Sequence, residues 1–268
     1  MIHLCLGTLY LWGNIQVYVT SYLRLHDRSV TSAQTMRVFA CAMLGQSLSM
    51  SLAGLLQGRL GPRVTALLGG WLVTAGTLLA SRATNVAALT ACYGLVFGVG
   101  IAAAYGCPLV CGYAWLPRAR GKVSGIVVSG FGLAAAIFNV VATGYVNPGN
   151  VGPTIVSGGY WYYDEAVAGR VPGMFVLLGA CYGVLTTVGS LLLRMPPGLE
   201  CPRPVPPGAA GASTAMGGGG GGGGGGWLPG WAARASRRVV AHAQGYWRLR
   251  SPPPDSPEGL YEAVAAAE

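Results

Sequence analysis

Apolar residues recur in long unbroken runs, and the polar and charged positions fall into short intervals between them. Six segments reach the roughly 20 apolar residues that crossing a hydrocarbon core requires. They run over residues 1–23, 38–58, 64–81, 86–112, 123–146 and 171–193, and no Asp, Glu, Lys or Arg falls strictly inside them. The breaks carry turn chemistry of their own: Leu60-Gly61-Pro62, Leu116-Pro117 and Asn147-Pro148-Gly149-Asn150. None of the segments has a charged face to present to water, which disfavours a soluble helical bundle. The pattern therefore predicts an all-α polytopic membrane protein with six transmembrane helices in a domain spanning residues 1–195.

From residue 196 to residue 268 the texture changes. This tail is Pro-rich, then carries an uninterrupted glycine run from Gly217 to Gly226, then the stretch 231–250 with Arg234, Arg237, Arg238, Arg248 and Arg250 among Trp, Val and Ala. Two readings stand: a disordered low-complexity cytoplasmic tail, or a flexible linker leading to a basic helix on an anionic lipid surface.

Composition sharpens the membrane reading. Charged residues make up 9% of the 268, apolar residues 52%, and the mean hydropathy is +0.50; a soluble domain carries about 25% charge. The glycines lack a three-residue period, which excludes collagen. The formal charge of +9 is spread along the intervals flanking the apolar runs and forms no concentrated stripe, so a nucleic-acid partner is not expected. With six spans, one side holds Arg59, Arg63, Arg118, Arg120, Lys122, Arg194 and Arg203, and the other Arg24, Arg28, Arg37, Arg82 and Arg170. That small excess favours cytoplasmic termini. The first segment has no basic leader and no cleavage pattern, and reads as a membrane helix rather than a secretory signal.

Candidate chemistry is sparse. In the first span Tyr10, Asn14 and Tyr18 share a face at four-residue spacing; with Gln46, Tyr105 and Asn139 they are candidates for a substrate path, or for hydrogen bonds between helices. In the fourth span Gly94, Gly98, Ala102 and Gly106 recur every four residues and leave a bare face for close helix packing. His3, His26 and His242 lack partners at metal-ligand spacing, and the cysteines lack a base. No metal, cofactor or catalytic role is expected. Asp27, Asp164 and Glu165 all fall between the spans, so the helices offer no embedded carboxylate for a proton relay.

Several stretches together resemble one family. Gly7 to Gly13 (GTLYLWG), Gly54 to Arg63 (GLLQGRLGPR), Tyr105 to Leu109 (YGCPL), Trp115-Leu116-Pro117, Arg120-Gly121-Lys122, Ser124 to Gly132 (SGIVVSGFG) and Arg170-Val171-Pro172 are similar to the major facilitator superfamily, in its oxalate/formate antiporter-like and monocarboxylate transporter branch. The resemblance covers residues 5–197. It implies one six-helix half of a two-half carrier working by alternating access, with a small organic anion, such as a mono- or dicarboxylate, as substrate. It also implies a cytoplasmic gate region containing Gly54, Arg59, Gly61, Arg63, Arg118 and Arg120.

The departures from the pattern are specific. Gly58 stands where the loop signature has an acid. Asn14 stands where proton-coupled monocarboxylate carriers have a lysine, and Gly94 where many members have a basic residue. The fifth helix lacks the Gly-Pro of drug antiporters. The carboxylate-binding cations of the family are expected from the other half, which would be supplied by further chain or by a homodimer. The competing expectation is a non-transporting membrane remnant or a helix-binding scaffold.

Overall fold

A computed structural model describes residues 1–157 and 159–197. The expectation for the tail, including the basic helix at 231–250, lies outside the described residues.

The chain begins with one helical course in three parts: α1 (Ile2–Leu6), a 3-10 segment (Gly7–Leu11) and α2 (Trp12–His26). The tight 3-10 turn begins at the closest crossing in this part of the fold. A Cβ on Gly7 would run into the backbone carbonyl of Phe131, so only glycine permits that approach. At the far end Asp27 ends α2, and its Oδ1 accepts from the amide and hydroxyl of Ser29 at 2.9 and 2.7 Å.

Thr31 opens α3 (Ser32–Ala80) with a reciprocal cap. Its hydroxyl accepts from the Gln34 amide, and the Gln34 side chain accepts from the Thr31 amide at 3.0 Å. The run of 49 helical residues is broken at one point, Gly61, with φ 80° and ψ 162°. That region of backbone space belongs essentially to glycine, and Pro62 behind it starts a fresh helical arm without needing an amide partner. The interval 59–63 read as a loop is therefore helical on both sides, with the turn confined to one residue. The first arm also starts six residues earlier than its apolar run, because the cap extends the helix through polar Ser32 to Arg37.

Asn85 caps α4 (Val86–Leu89), accepting from the Ala88 amide at 2.8 Å. A π-helical segment (Thr90–Val96) then leads into α5 (Phe97–Trp115), and a 3-10 turn (Pro117–Ala119) into α6 (Arg120–Val146). The connection to the last helix corrects the all-α expectation: it contains an antiparallel hairpin, β1 (Ile155–Ser157) and β2 (Tyr160–Tyr162), with Val156 opposite Trp161. A single turn, α7 (Glu165–Ala168), precedes α8 (Val171–Leu192), which has Pro172 in its first turn.

The helix α5 packs between the two arms of α3. Gly98 lies against the Ala42 backbone of the first arm, while Gly100 faces Gly69 and Val73 of the second. At the centre Trp12, Tyr93, Phe97, Phe175 and Tyr182 are fully buried. The Tyr93 ring stacks on Phe97 at 4.5 Å and leans on Trp12 at 5.2 Å. The outer surface is apolar, with Leu48, Ile126 and Val140 all more than 70% exposed. Patches of that kind are unfavourable in water and natural against lipid. Among the described residues four helical stretches are long and apolar enough to cross a membrane: Ser32–Ala80, Val86–Trp115, Pro117–Val146 and Glu165–Leu192.

Candidate functional site

An aromatic cluster forms where the first helical course meets α5 and α6. Tyr10 meets Phe131 edge to face at 5.7 Å; Phe131 meets Tyr105 in the same way at 5.6 Å. His3 completes the group, 4.9 Å from Tyr105 and 6.1 Å from Phe131, and Phe39 of α3 reaches Tyr10 at 6.4 Å. The close Gly7 crossing holds Phe131 in place, and Gly130 sits open toward His3, where a Cβ would meet the His3 side chain at 3.7 Å.

Of the expected path residues, the cluster brings Tyr10 and Tyr105 together. Tyr10 is 50% exposed, Asn14 one helical turn on is exposed, and Tyr105 is half-buried. Tyr18 lies elsewhere: it stacks on Tyr163 beyond the hairpin at 4.5 Å. Gln46 and Asn139 are half-buried outside the ring cluster, each with a side-chain carbonyl that is buried and lacks a hydrogen-bond partner. Gln46 is two helical turns from Phe39 and so continues the face that Phe39 begins. These groups can donate or accept hydrogen bonds to a small polar solute, but none of them is a nucleophile poised beside a base.

Sequence reasoning missed four side chains here: His3, Phe39, Gln57 and Phe131. Two had a readable signal. His3 is seven residues before Tyr10, and Gln57 is eleven after Gln46, so each continues a face already identified. Gln57 is buried; its Oε1 faces Gly106 and accepts from the Cys107 thiol at 3.7 Å, and its Nε2 has no partner. His3 is only 4% exposed, and neither ring nitrogen has a partner. An unsatisfied buried polar group costs about 1–3 kcal/mol.

The expected gate residues cluster at one end. Arg59 and Arg63 are exposed on either side of the Gly61 break, Gly54 is half-buried about two turns before it, Arg118 is exposed, and Arg120 is half-buried at the start of α6. Trp115 donates its indole N–H to the Arg194 carbonyl at 2.9 Å, tying the end of α5 to the chain after α8. Of the small-residue stripe, Gly94 faces Cys41 and Val38, Gly98 faces Ala42, Gly106 faces Gln57, and Ala102 is buried on the same course. The stripe thus lies along the first arm of α3.

At the opposite end Arg24 holds the hairpin. Its guanidinium donates to the Val30 carbonyl at 2.7 Å and the Ser157 hydroxyl at 2.9 Å and lies 4.2 Å from the centre of the Tyr162 ring. Ser21 accepts from the Tyr163 amide at 3.0 Å. Burial, together with a hydrogen bond to and the charge of the Tyr18 phenol, pushes the Tyr163 phenol up to about 12.

No protein-family model matches the chain. Individual proteins do. Apicoplast pyruvate carrier 1 of Toxoplasma gondii is 34% identical over 250 residues, covering 75% of this chain and 46% of that protein. The oxalate:formate antiporter of Oxalobacter formigenes is 31% identical over 109 residues, 41% of this chain and 26% of the antiporter. The uncharacterized MFS-type transporter YhjX of Escherichia coli (strain K12) is 28% identical over 138 residues, 52% of this chain and 33% of its own. The chain spans less than half the length of these relatives. All three are transporters, and the similarity joins the apolar helices in marking an integral membrane protein: the chain belongs to the major facilitator superfamily.

Proposed function

We propose that the chain forms one six-helix half of a secondary carrier for a small organic anion such as a mono- or dicarboxylate, working by alternating access. Six crossings follow if the first helical course, each arm of α3, and the three later long helices each span once. The domain then covers residues 1–195, with both termini and the Arg59, Arg63, Arg118 and Arg120 end in the cytoplasm. A second half, from further chain or from a second copy, would complete the central site.

The observation that best supports this reading is the aromatic and amide face of the first helical course. Tyr10 and Asn14 are exposed in a helix whose other faces are closed by Leu9, Leu11, Trp12 and Ile15. A phenol and an amide can donate hydrogen bonds to carboxylate oxygens, and the rings of Phe131 and Phe39 flank the Tyr10 side. In this reading Tyr10, Asn14, Tyr105, Gln46, Asn139 and, toward the outer end, Tyr18 line the path. The similarity to a pyruvate carrier and an oxalate:formate antiporter supports carboxylates as the substrate class. The test is uptake of labelled oxalate and pyruvate into proteoliposomes by the complete carrier with Tyr10→Phe and Asn14→Ala. Slower uptake in both variants supports the path, and parental rates in both contradict it.

A further inference from the structure

We propose that His3 is a direct contact for a carboxylate of the transported anion, an inference that rests on the organic-anion function proposed above. Buried polar groups in this bundle are mostly satisfied locally: Thr8, Thr20, Thr74, Thr77 and Thr186 each donate to a carbonyl of their own helical course. The His3 ring has no such recourse. It is 4% exposed with both nitrogens unpartnered, so whichever nitrogen carries the proton has a hydrogen bond to give.

Other orphaned groups sit elsewhere. The Trp12 indole and the Tyr93 hydroxyl also lack partners, but they belong to the closed core with Phe97 and Phe175. His3 instead abuts Tyr105 and Phe131, and through Phe131 it is one ring away from the half-exposed Tyr10. Among the described residues no carboxylate is seen against it: the acids there are Asp27, Asp164 and Glu165, at or near the ends of helices. A solute that displaces the Phe131 ring would therefore meet the Tyr10 phenol and the imidazole N–H of His3, with the Tyr105 ring beside it. Both the phenol O–H and the neutral imidazole N–H can donate to a carboxylate oxygen, a bond strengthened by the charge on the acceptor.

The experiment is solution NMR of the complete carrier in lipid nanodiscs with ring-labelled histidine, titrated with oxalate and with pyruvate, alongside calorimetric binding. His3→Gln assigns the signal. The expected result is a saturable shift of the His3 ring resonances and unchanged His26 and His242 signals. His3→Phe should bind about tenfold more weakly or worse, the effect of losing one charge-assisted hydrogen bond, whereas His3→Gln, which keeps a donor, stays within about threefold. Binding that leaves the His3 signal in place overturns this inference alone and leaves the carrier reading standing. Absence of any carboxylate binding by the complete carrier overturns both.

Discussion

Tyr18 and Tyr163 stack with ring centroids 4.5 Å apart and planes 25° from parallel, fastening the second half of the first helical course to the segment that follows the hairpin. The contact is reinforced by Ser21 on the Tyr163 amide and by Arg24 on Ser157 and Tyr162. Aromatic pairs contribute about 0.5–1.5 kcal/mol beyond their buried area. Tyr163→Ala is therefore expected to speed amide hydrogen exchange across residues 155–163, while Tyr163→Phe, which keeps the stack, leaves it near the parental rate. Equal exchange in the alanine variant and the parent would remove the stack as a fastening.

The crossing of Gly7 over Phe131 leaves no room for a side chain. Gly7→Leu should abolish a monodisperse folded peak in size-exclusion chromatography of the detergent-solubilised protein. Gly13→Leu, on the open side of the same helical course with nothing within 4 Å of its Cβ position, should elute like the parent. Equal behaviour of the two variants would show that the crossing is not close.

The break in α3 rests on one backbone conformation. With φ 80° and ψ 162° at Gly61, Gly61→Ala is expected to cost about 1–3 kcal/mol, read as a lower thermal midpoint. The same change at Gly121, a helical glycine with open space around it, should leave the midpoint level or raise it slightly.

Asp27 supplies a pH test outside the membrane. Hydrogen bonds from the Ser29 hydroxyl and amide hold its carboxyl below the ordinary carboxylate value, with Arg24 adding a smaller pull in the same direction. A depressed native value means the stabilisation is present above the unfolded-state value and is lost as pH falls through the native one. Ser29→Ala should thus lower the thermal midpoint slightly at neutral pH, and the difference from the parent should vanish as Asp27 protonates. A difference that persists unchanged into strong acid would contradict this account.

Much of the helical layout was legible in the sequence because lipid imposes so strong a constraint: apolar length reads directly as a crossing element. The finer features depend on groups that hydropathy ignores. The Thr31–Gln34 cap carries the first arm of α3 back into polar sequence, and Gly61 compresses an expected loop into one residue. The hairpin carries no hydropathy signal, since it lies in a polar interval between apolar runs and is defined only by the pairing of residues such as Val156 with Trp161. In the candidate site, Tyr10 and Tyr105 stood out as polar residues in apolar runs. Phe131 and Phe39 looked like ordinary core, since only the tertiary crossing at Gly7 gathers them around Tyr10. Tyr18 followed the same four-residue spacing as Asn14, yet the hairpin, a long-range element, gives it Tyr163 as a partner.

The central claim is that the Tyr10 and Asn14 face borders a water-filled path for an organic anion. It is tested most directly by introducing Asn14→Cys and measuring labelling in membranes by a membrane-impermeant thiol reagent, relative to the parent with its native cysteines. The account predicts rapid labelling of the new thiol that slows in a saturable way as oxalate or pyruvate is added. A thiol at residue 14 that reacts no faster than the parent background, or reacts at a rate indifferent to either anion, would contradict it.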